Sequence, residues 1–225
     1  MNALKLTDTR LRVLFRLSAL LVMVKVTVSV ILNNRQYFPP DFESEFLQGR
    51  EHYFYGIYQY AFYSHVLSGP LSLLLGVILI SNRIRRRWPK AHRWVGRFQV
   101  TIVTLIVAPG GFVMALRADG GNVAVVGFSV LAILTAATAL IGYRRAKQRR
   151  YSSHEQWMMR CFLLLTSAVV LRLIAGASIV TEFENKWVYP VSAWVSWLIP
   201  VSIYELYRIY TRRVVKQPLD VTTQP

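Results

Sequence analysis

Asn82 to Arg97 reads NRIRRRWPKAHRWVGR, and it sits between two long apolar runs. Six of the chain's 27 Lys and Arg fall in it before Trp94, together with one histidine, His92. A second stretch of the same kind, YRRAKQRRYSSHEQWMMR, runs from Tyr143 to Arg160. Each is a basic segment that ends in a His, a Trp and an Arg three residues after the Trp. Arginine at that density does not enter hydrocarbon, so these segments fix which side of a membrane they occupy.

Working outward, six stretches are long enough to cross ~30 Å of hydrocarbon at ~1.5 Å per residue. They lie near 13–32, 60–81, 95–116, 123–142, 158–180 and 188–207. The chain thus divides into a basic N-terminus (1–12), a six-helix membrane domain (13–207) and a basic, polar tail (208–225). The loops alternate in charge. One side collects nineteen Lys and Arg: Lys5, Arg10, Arg12 and Arg16; Arg83, Arg85, Arg86, Arg87, Lys90 and Arg93; Arg144, Arg145, Lys147, Arg149 and Arg150; Arg208, Arg212, Arg213 and Lys216. The other has Arg35, Arg50, Arg117 and Lys186 beside Asp41, Glu43, Glu45, Glu51, Glu182 and Glu184. The positive-inside rule therefore predicts both termini in the cytoplasm, the basic face meeting anionic lipids.

Composition agrees. With 54% hydrophobic residues the chain falls in the membrane class. The net charge of +16 is carried at span ends and not on a separate face or arm, which argues against nucleic acid as a partner. The single cysteine, Cys161, excludes an internal disulfide. The basic N-terminus leads into an apolar run without a small-residue cleavage site, so a retained first span is expected.

Local signals refine this all-α reading. Asp119-Gly120-Gly121-Asn122 predicts a tight turn between the third and fourth spans. Ser152 with Glu155 predicts a capping box opening the fifth. Pro109-Gly110-Gly111 and Pro200 predict local breaks in the third and sixth. The two His/Trp/Arg segments suggest that spans two and three, and spans four and five, form a parallel repeat of helical hairpins. The register slips by one residue at the histidine.

Residues from about 60 to 175 resemble a bacterial group of predicted multi-pass membrane proteins of unknown function. The resemblance rests on His65 in a span, His92-Arg93-Trp94-Val95-Gly96-Arg97, His154-Glu155-Gln156-Trp157-Met158-Met159-Arg160 and Leu171-Arg172-Leu173. It implies a helical fold in the bacterial cytoplasmic membrane and no particular activity.

Two sets of residues carry chemistry. His92 and His154 each precede a span at comparable depth, and two facing imidazoles form an axial pair for haem b or part of a metal site. Arg97 and Arg160, about one turn deeper, then offer charge-assisted contacts to anions such as propionates. The alternative is that His and Trp are interfacial anchors whose arginines reach toward headgroups. In the other leaflet, His65, Ser68, Gly69, Ser72 and Gly76 fall on one stripe of small and polar residues that should face protein. His65, Arg172 and Lys25 are predicted about 8, 12 and 10 Å below that surface. Buried charge there needs a partner or a wet cavity. His65, Ser68, Arg172 and Lys25 therefore outline a site for a small anionic or amphiphilic ligand such as a lipid, quinone or organic acid. The alternative has Arg172 bonding carbonyls freed at Pro109-Gly110-Gly111, or pairing with Glu182 or Asp41, while Lys25 reaches to the surface.

No nucleotide loop, Ser/His/Asp arrangement or cysteine-rich metal spacing occurs, so binding is favoured over catalysis. Three readings follow: a ligand-binding or transport protein, a haem b electron-transfer protein, and an accessory membrane subunit.

Overall fold

A computed structural model describes the backbone of residues 2–44, 46–183 and 185–216, and the side chains of 14, 17–44, 46–183 and 185–213. Several side chains of the charge asymmetry, Lys5, Arg10, Arg12, Arg16, Glu45, Glu184 and Lys216, and the tail after Lys216 lie outside the described residues. Among the described residues the secondary structure is entirely helical: α1 (Asn2–Asn33), α2 (Glu51–Phe54), α3 (Ile57–Ile80), α4 (Asn82–Arg87), α5 (Pro89–Ile102), α6 (Ala108–Ala115), α7 (Gly121–Lys147), α8 (Tyr151–Leu165), α9 (Ser167–Val180) and α10 (Val188–Lys216). A 3-10 turn follows α1 over Asn34–Tyr37, and a π turn over Val103–Val107 joins α5 to α6.

Among the described residues, five stretches are long and apolar enough to cross a membrane: Leu17–Tyr37, Ile57–Ile80, Pro89–Ala115, Gly121–Lys147 and Tyr151–Val180. They coincide with the first five predicted spans. The sixth, 188–207, is also helical, within α10. Its tryptophans, tyrosines and two prolines dilute its hydropathy, and it falls outside that set of five.

Turn chemistry sets the boundaries. Ser81 caps α4 by accepting from the Ile84 amide, and Pro89 opens α5 where its missing donor costs nothing. Gly120 and Gly121 turn between α6 and α7 with φ of 83° and 73°. A Cβ at Gly120 would also come within 2.7 Å of the Pro190 ring, so glycine is required there. The predicted capping box does not form. Arg149 takes φ 58° and α8 starts at Tyr151, so Ser152 is already inside the helix. Its hydroxyl faces Gln156, and Glu155 reaches Arg85 instead.

Two further breaks interrupt the spans. The predicted break at Pro109 is resolved upstream, as the π turn Val103–Val107, which leaves Pro109 in the first turn of α6 where it is tolerated. A break at Thr166, between α8 and α9, had no proline or glycine to announce it. Pro200 leaves α10 continuous.

The helices form a closed ring. α3 packs on α5 and α6, these on α7, α7 on α8, and α8 back on α3. Outside the ring, α10 lies against α7, α8 and α9, and α1 against α3 and α9. Small residues allow the close approaches. A Cβ at Gly76 would meet the Phe162 ring at 2.7 Å, and one at Gly142 the Met158 sulfur at 2.6 Å. At the centre, Val103, Ala139 and Cys161 are buried together.

The segment between α1 and α3 folds over the start of α3 as an aromatic cap, its Leu47 and Phe54 buried with Tyr58 and Phe62 of α3, and Tyr37, Phe42 and Phe46 packed on them. Arg50 clasps this cap to the α6–α7 turn. Only 4% exposed, it donates to the Phe46 carbonyl, the Tyr53 hydroxyl, the Arg117 carbonyl and the Asp119 carboxylate. Burial works against its charge, yet Tyr58, Asp119 and Tyr53 outweigh that and push its pKa above the ordinary value.

Candidate functional site

Near the aromatic cap, the stripe on α3 faces protein: Ser68 and Ser72 are buried, and Gly76 meets Phe162 of α8. His65 is set into a notch opposite Gly110 and Gly111. A Cβ at Gly111 would stand 2.9 Å from its ring. Its Nδ1 lies 2.8 Å from the Val107 carbonyl, the last residue of the π turn. A carbonyl only accepts, so Nδ1 carries the proton and the lone pair of the neutral ring stays on Nε2. The carbonyl contact that one reading of the sequence gave to Arg172 is thus made by His65.

Arg172 lies on α9 and is exposed. Its one described hydrogen bond goes to the Ala168 carbonyl a turn back, at 3.0 Å. Among the described residues Arg172 has no carboxylate partner, Glu182 and Asp41 included. No described hydrogen bond or ion pair joins His65 to Arg172. Ser68 is turned away, its hydroxyl donating to the Ser64 carbonyl. Lys25 is exposed on α1 and makes no described hydrogen bond or ion pair with this group. An open groove of about 500 Å³ also lies at this end, between the end of α1 and α3. Val66, Leu67, Pro70 and Leu74 line it, on the side of α3 away from the His65 stripe.

At the basic end, His92 and His154 each lie in the first turn of a helix, α5 and α8, and the Arg85–Glu155 ion pair at 3.4 Å links the two segments. His154 gives its Nδ1 to the Gly142 carbonyl of α7 at 2.9 Å, again leaving Nε2 open. The Nδ1 of His92 is buried and has no partner among the described residues. No group of three or more His, Cys, Asp or Glu assembles there or elsewhere among the described residues. The pair therefore offers two nitrogen donors and no more.

The two arginines differ. Arg160 pairs side-on with Glu205 of α10, at 2.7 and 3.1 Å, and stacks over Trp157 at 4.5 Å. Arg208 adds a contact to Glu205 at 2.8 Å and holds Gln156 at 2.6 Å. Arg97 stacks over Trp94 at 5.4 Å but meets no carboxylate among the described residues. Sequence reading missed Tyr37, Arg50 and the Glu205 network. The long-range partners of Arg50 and Glu205 lie 45 to 69 residues away along the chain, beyond any local signal.

Apolar helices of spanning length, a closed ring sealed by small residues and charge confined to its ends define a helical membrane protein. The chain belongs to DUF2306, a family of predicted membrane proteins of unknown function, which matches residues 62–208, or 147 of the 225. The match takes in the ring and most of α10, with His65, His92, His154 and Arg172, and leaves out α1, Tyr37 and Arg50. No curated protein and no solved structure matches the chain.

Proposed function

We propose that this protein binds a small anionic or amphiphilic ligand in the half of the bilayer next to the aromatic cap. The supporting observations are His65, held in a glycine notch with its Nδ1 on the Val107 carbonyl, and Arg172, whose one described hydrogen bond stays within its own helix. A guanidinium bonded only to its own helix can grip a carboxylate or carbonyl, and Nε2 of His65 can accept a hydrogen bond from the same ligand or take up its proton. In this reading the protein has six spans, with α10 as the last. Both termini lie in the cytoplasm of a bacterium and the site faces outward, because the loop charges follow the positive-inside rule.

The test is thermal unfolding of the detergent-purified protein with a long-chain fatty carboxylate, a quinone analogue or a short organic acid. One of these should raise the midpoint, and Arg172→Ala should abolish the rise while leaving the unliganded midpoint within a few degrees. No shift with any of the three would remove the reading.

One observation favours a second reading, electron transfer through haem b. His92 has a buried nitrogen without a partner among the described residues, and His154, in the neighbouring basic segment, has its Nδ1 fixed by a carbonyl as ligating imidazoles often are. Bound haem would give the purified protein a Soret band and, after dithionite, a sharp α-band, both lost in His154→Ala. A featureless spectrum from cells supplied with haem precursor would end it.

A further inference from the structure

A second groove, about 400 Å³, opens toward the basic end of the molecule between α5 with its π turn and α7. Its mouth is formed by Arg97 and Tyr143, its middle by Thr101 and Thr104, and its inner end by Leu105 and Leu140. Eight residues separate Arg97 from Leu105, about 12 Å along a helix. The lining therefore changes from cationic to hydroxylic to aliphatic over the depth between a lipid headgroup and the first part of its chains. Trp94, 70% exposed beneath the Arg97 guanidinium, marks the headgroup level. Leu105, also 70% exposed, marks the hydrocarbon.

Polar capacity at the mouth is unspent. Among the described residues the Arg97 guanidinium and the hydroxyls of Thr101 and Tyr143 make no hydrogen bond, whereas Thr104 donates to the Val100 carbonyl. The charge is also uncompensated. No Asp or Glu occurs between Glu51 and Asp119, or between Asp119 and Glu155, so neither wall carries an acid. Arg93 and Arg144 flank the mouth in sequence. The equivalent arginine of the other hairpin, Arg160, is neutralised by Glu205.

We infer that this groove is a binding site for an anionic phospholipid of the leaflet on the basic side. The phosphate accepts from Arg97, Tyr143 and Thr101, and one acyl chain lies over Leu105 and Leu140. A soluble phosphate would leave the aliphatic half unused. A zwitterionic headgroup would set its ammonium against Arg93 and Arg144. The site lies at the opposite end from His65 and Arg172, so the two proposals stand or fall separately.

The experiment is native mass spectrometry of the full chain after equilibration in vesicles of equal phosphatidylglycerol and phosphatidylcholine, quantifying retained lipid. The parent should retain phosphatidylglycerol in preference to phosphatidylcholine. Arg97→Gln should cut that retention about tenfold, the scale of one charge-assisted contact, while Arg83→Gln, an exposed loop arginine, should not. Leu140→Trp keeps the charge and fills the groove, and should lower retention of the same lipid. It decides the matter if Arg97→Gln fails to fold. Equal retention of the two lipids, unchanged retention in either groove variant, or complete displacement by glycerol phosphate at matched concentration would overturn the proposal.

Discussion

The two basic hairpins begin from nearly the same residues and end differently. In the second, His154 is fixed to the Gly142 carbonyl and Arg160 is locked by Glu205. In the first, the Nδ1 of His92 has no described partner and Arg97 faces a groove. What they share is local: the Trp-x-x-Arg spacing puts a guanidinium over an indole in both, because residues three apart on a helix are neighbours. What separates them is tertiary. The second hairpin packs against α10, which brings Glu205 and Arg208 to its arginine, whereas the acid that reaches the first, Glu155 of α8, pairs with Arg85 and leaves Arg97 without a carboxylate among the described residues. The one-residue slip at the histidine rotates one imidazole about 100° relative to the other. A repeated motif has thus become a rivet in one copy and an open surface in the other.

Four expectations would break or sharpen that contrast. The largest effect belongs to Glu205→Ala, which leaves Arg160 and Arg208, at 18% and 14% exposure, without their carboxylate. A loss of about 2–3 kcal/mol is expected by chemical or thermal unfolding in detergent, below the fully buried case because the group is part-exposed. A loss under ~0.5 kcal/mol would mean that the network holds nothing together. Next, Arg160→Gln should cost about 2 kcal/mol, and a double-mutant cycle with Glu205→Gln should return a coupling above ~1 kcal/mol.

Packing gives the third. Gly76→Ala drives a methyl into the rigid Phe162 ring and should cost about 1–3 kcal/mol. Gly142→Ala meets the flexible Met158 thioether, which can swing aside, so its cost should stay under ~1 kcal/mol. Circular dichroism melts of the two variants, read side by side, test that order. The smallest effect is Arg97→Gln, within ~0.5 kcal/mol of the parent in the same melts. If it destabilised as much as Arg160→Gln, Arg97 would have a structural partner and the groove would lose its cation.

The first five spans were legible because each is a long apolar run bounded by charge or by turn residues, and hydropathy alone finds such runs. The Gly120-Gly121 turn was legible for the same reason, since its residues state their conformation. The small-residue stripe on α3 was found by periodicity, which also brought out His65. The sixth span was less clear once Trp and Tyr replaced aliphatic residues in α10. The capping box failed because the conformation of Arg149, two residues before Tyr151, decides where α8 begins. Arg50 looked like any loop arginine, and its burial depends on Arg117 and Asp119, which only the fold brings near. Of the candidate site, the sequence yields a common expected depth for His65, Arg172 and Lys25, and depth is all that a linear sequence gives. No described hydrogen bond or ion pair joins the three.

The π turn at Val103–Val107 has a consequence for how this chain tolerates change in length. Five residues occupy a turn that holds fewer in an ordinary α-helix, so the segment behaves as one inserted residue carried inside the membrane. Deleting outward-facing Leu105 or Ile106 would remove no core contact. It would still turn everything beyond the deletion by about 100°. Gly110 and Gly111 would swing away from α3, and the carbonyl that holds His65 would leave with them. The register of α6 is thus stored in a residue that lies largely outside the core.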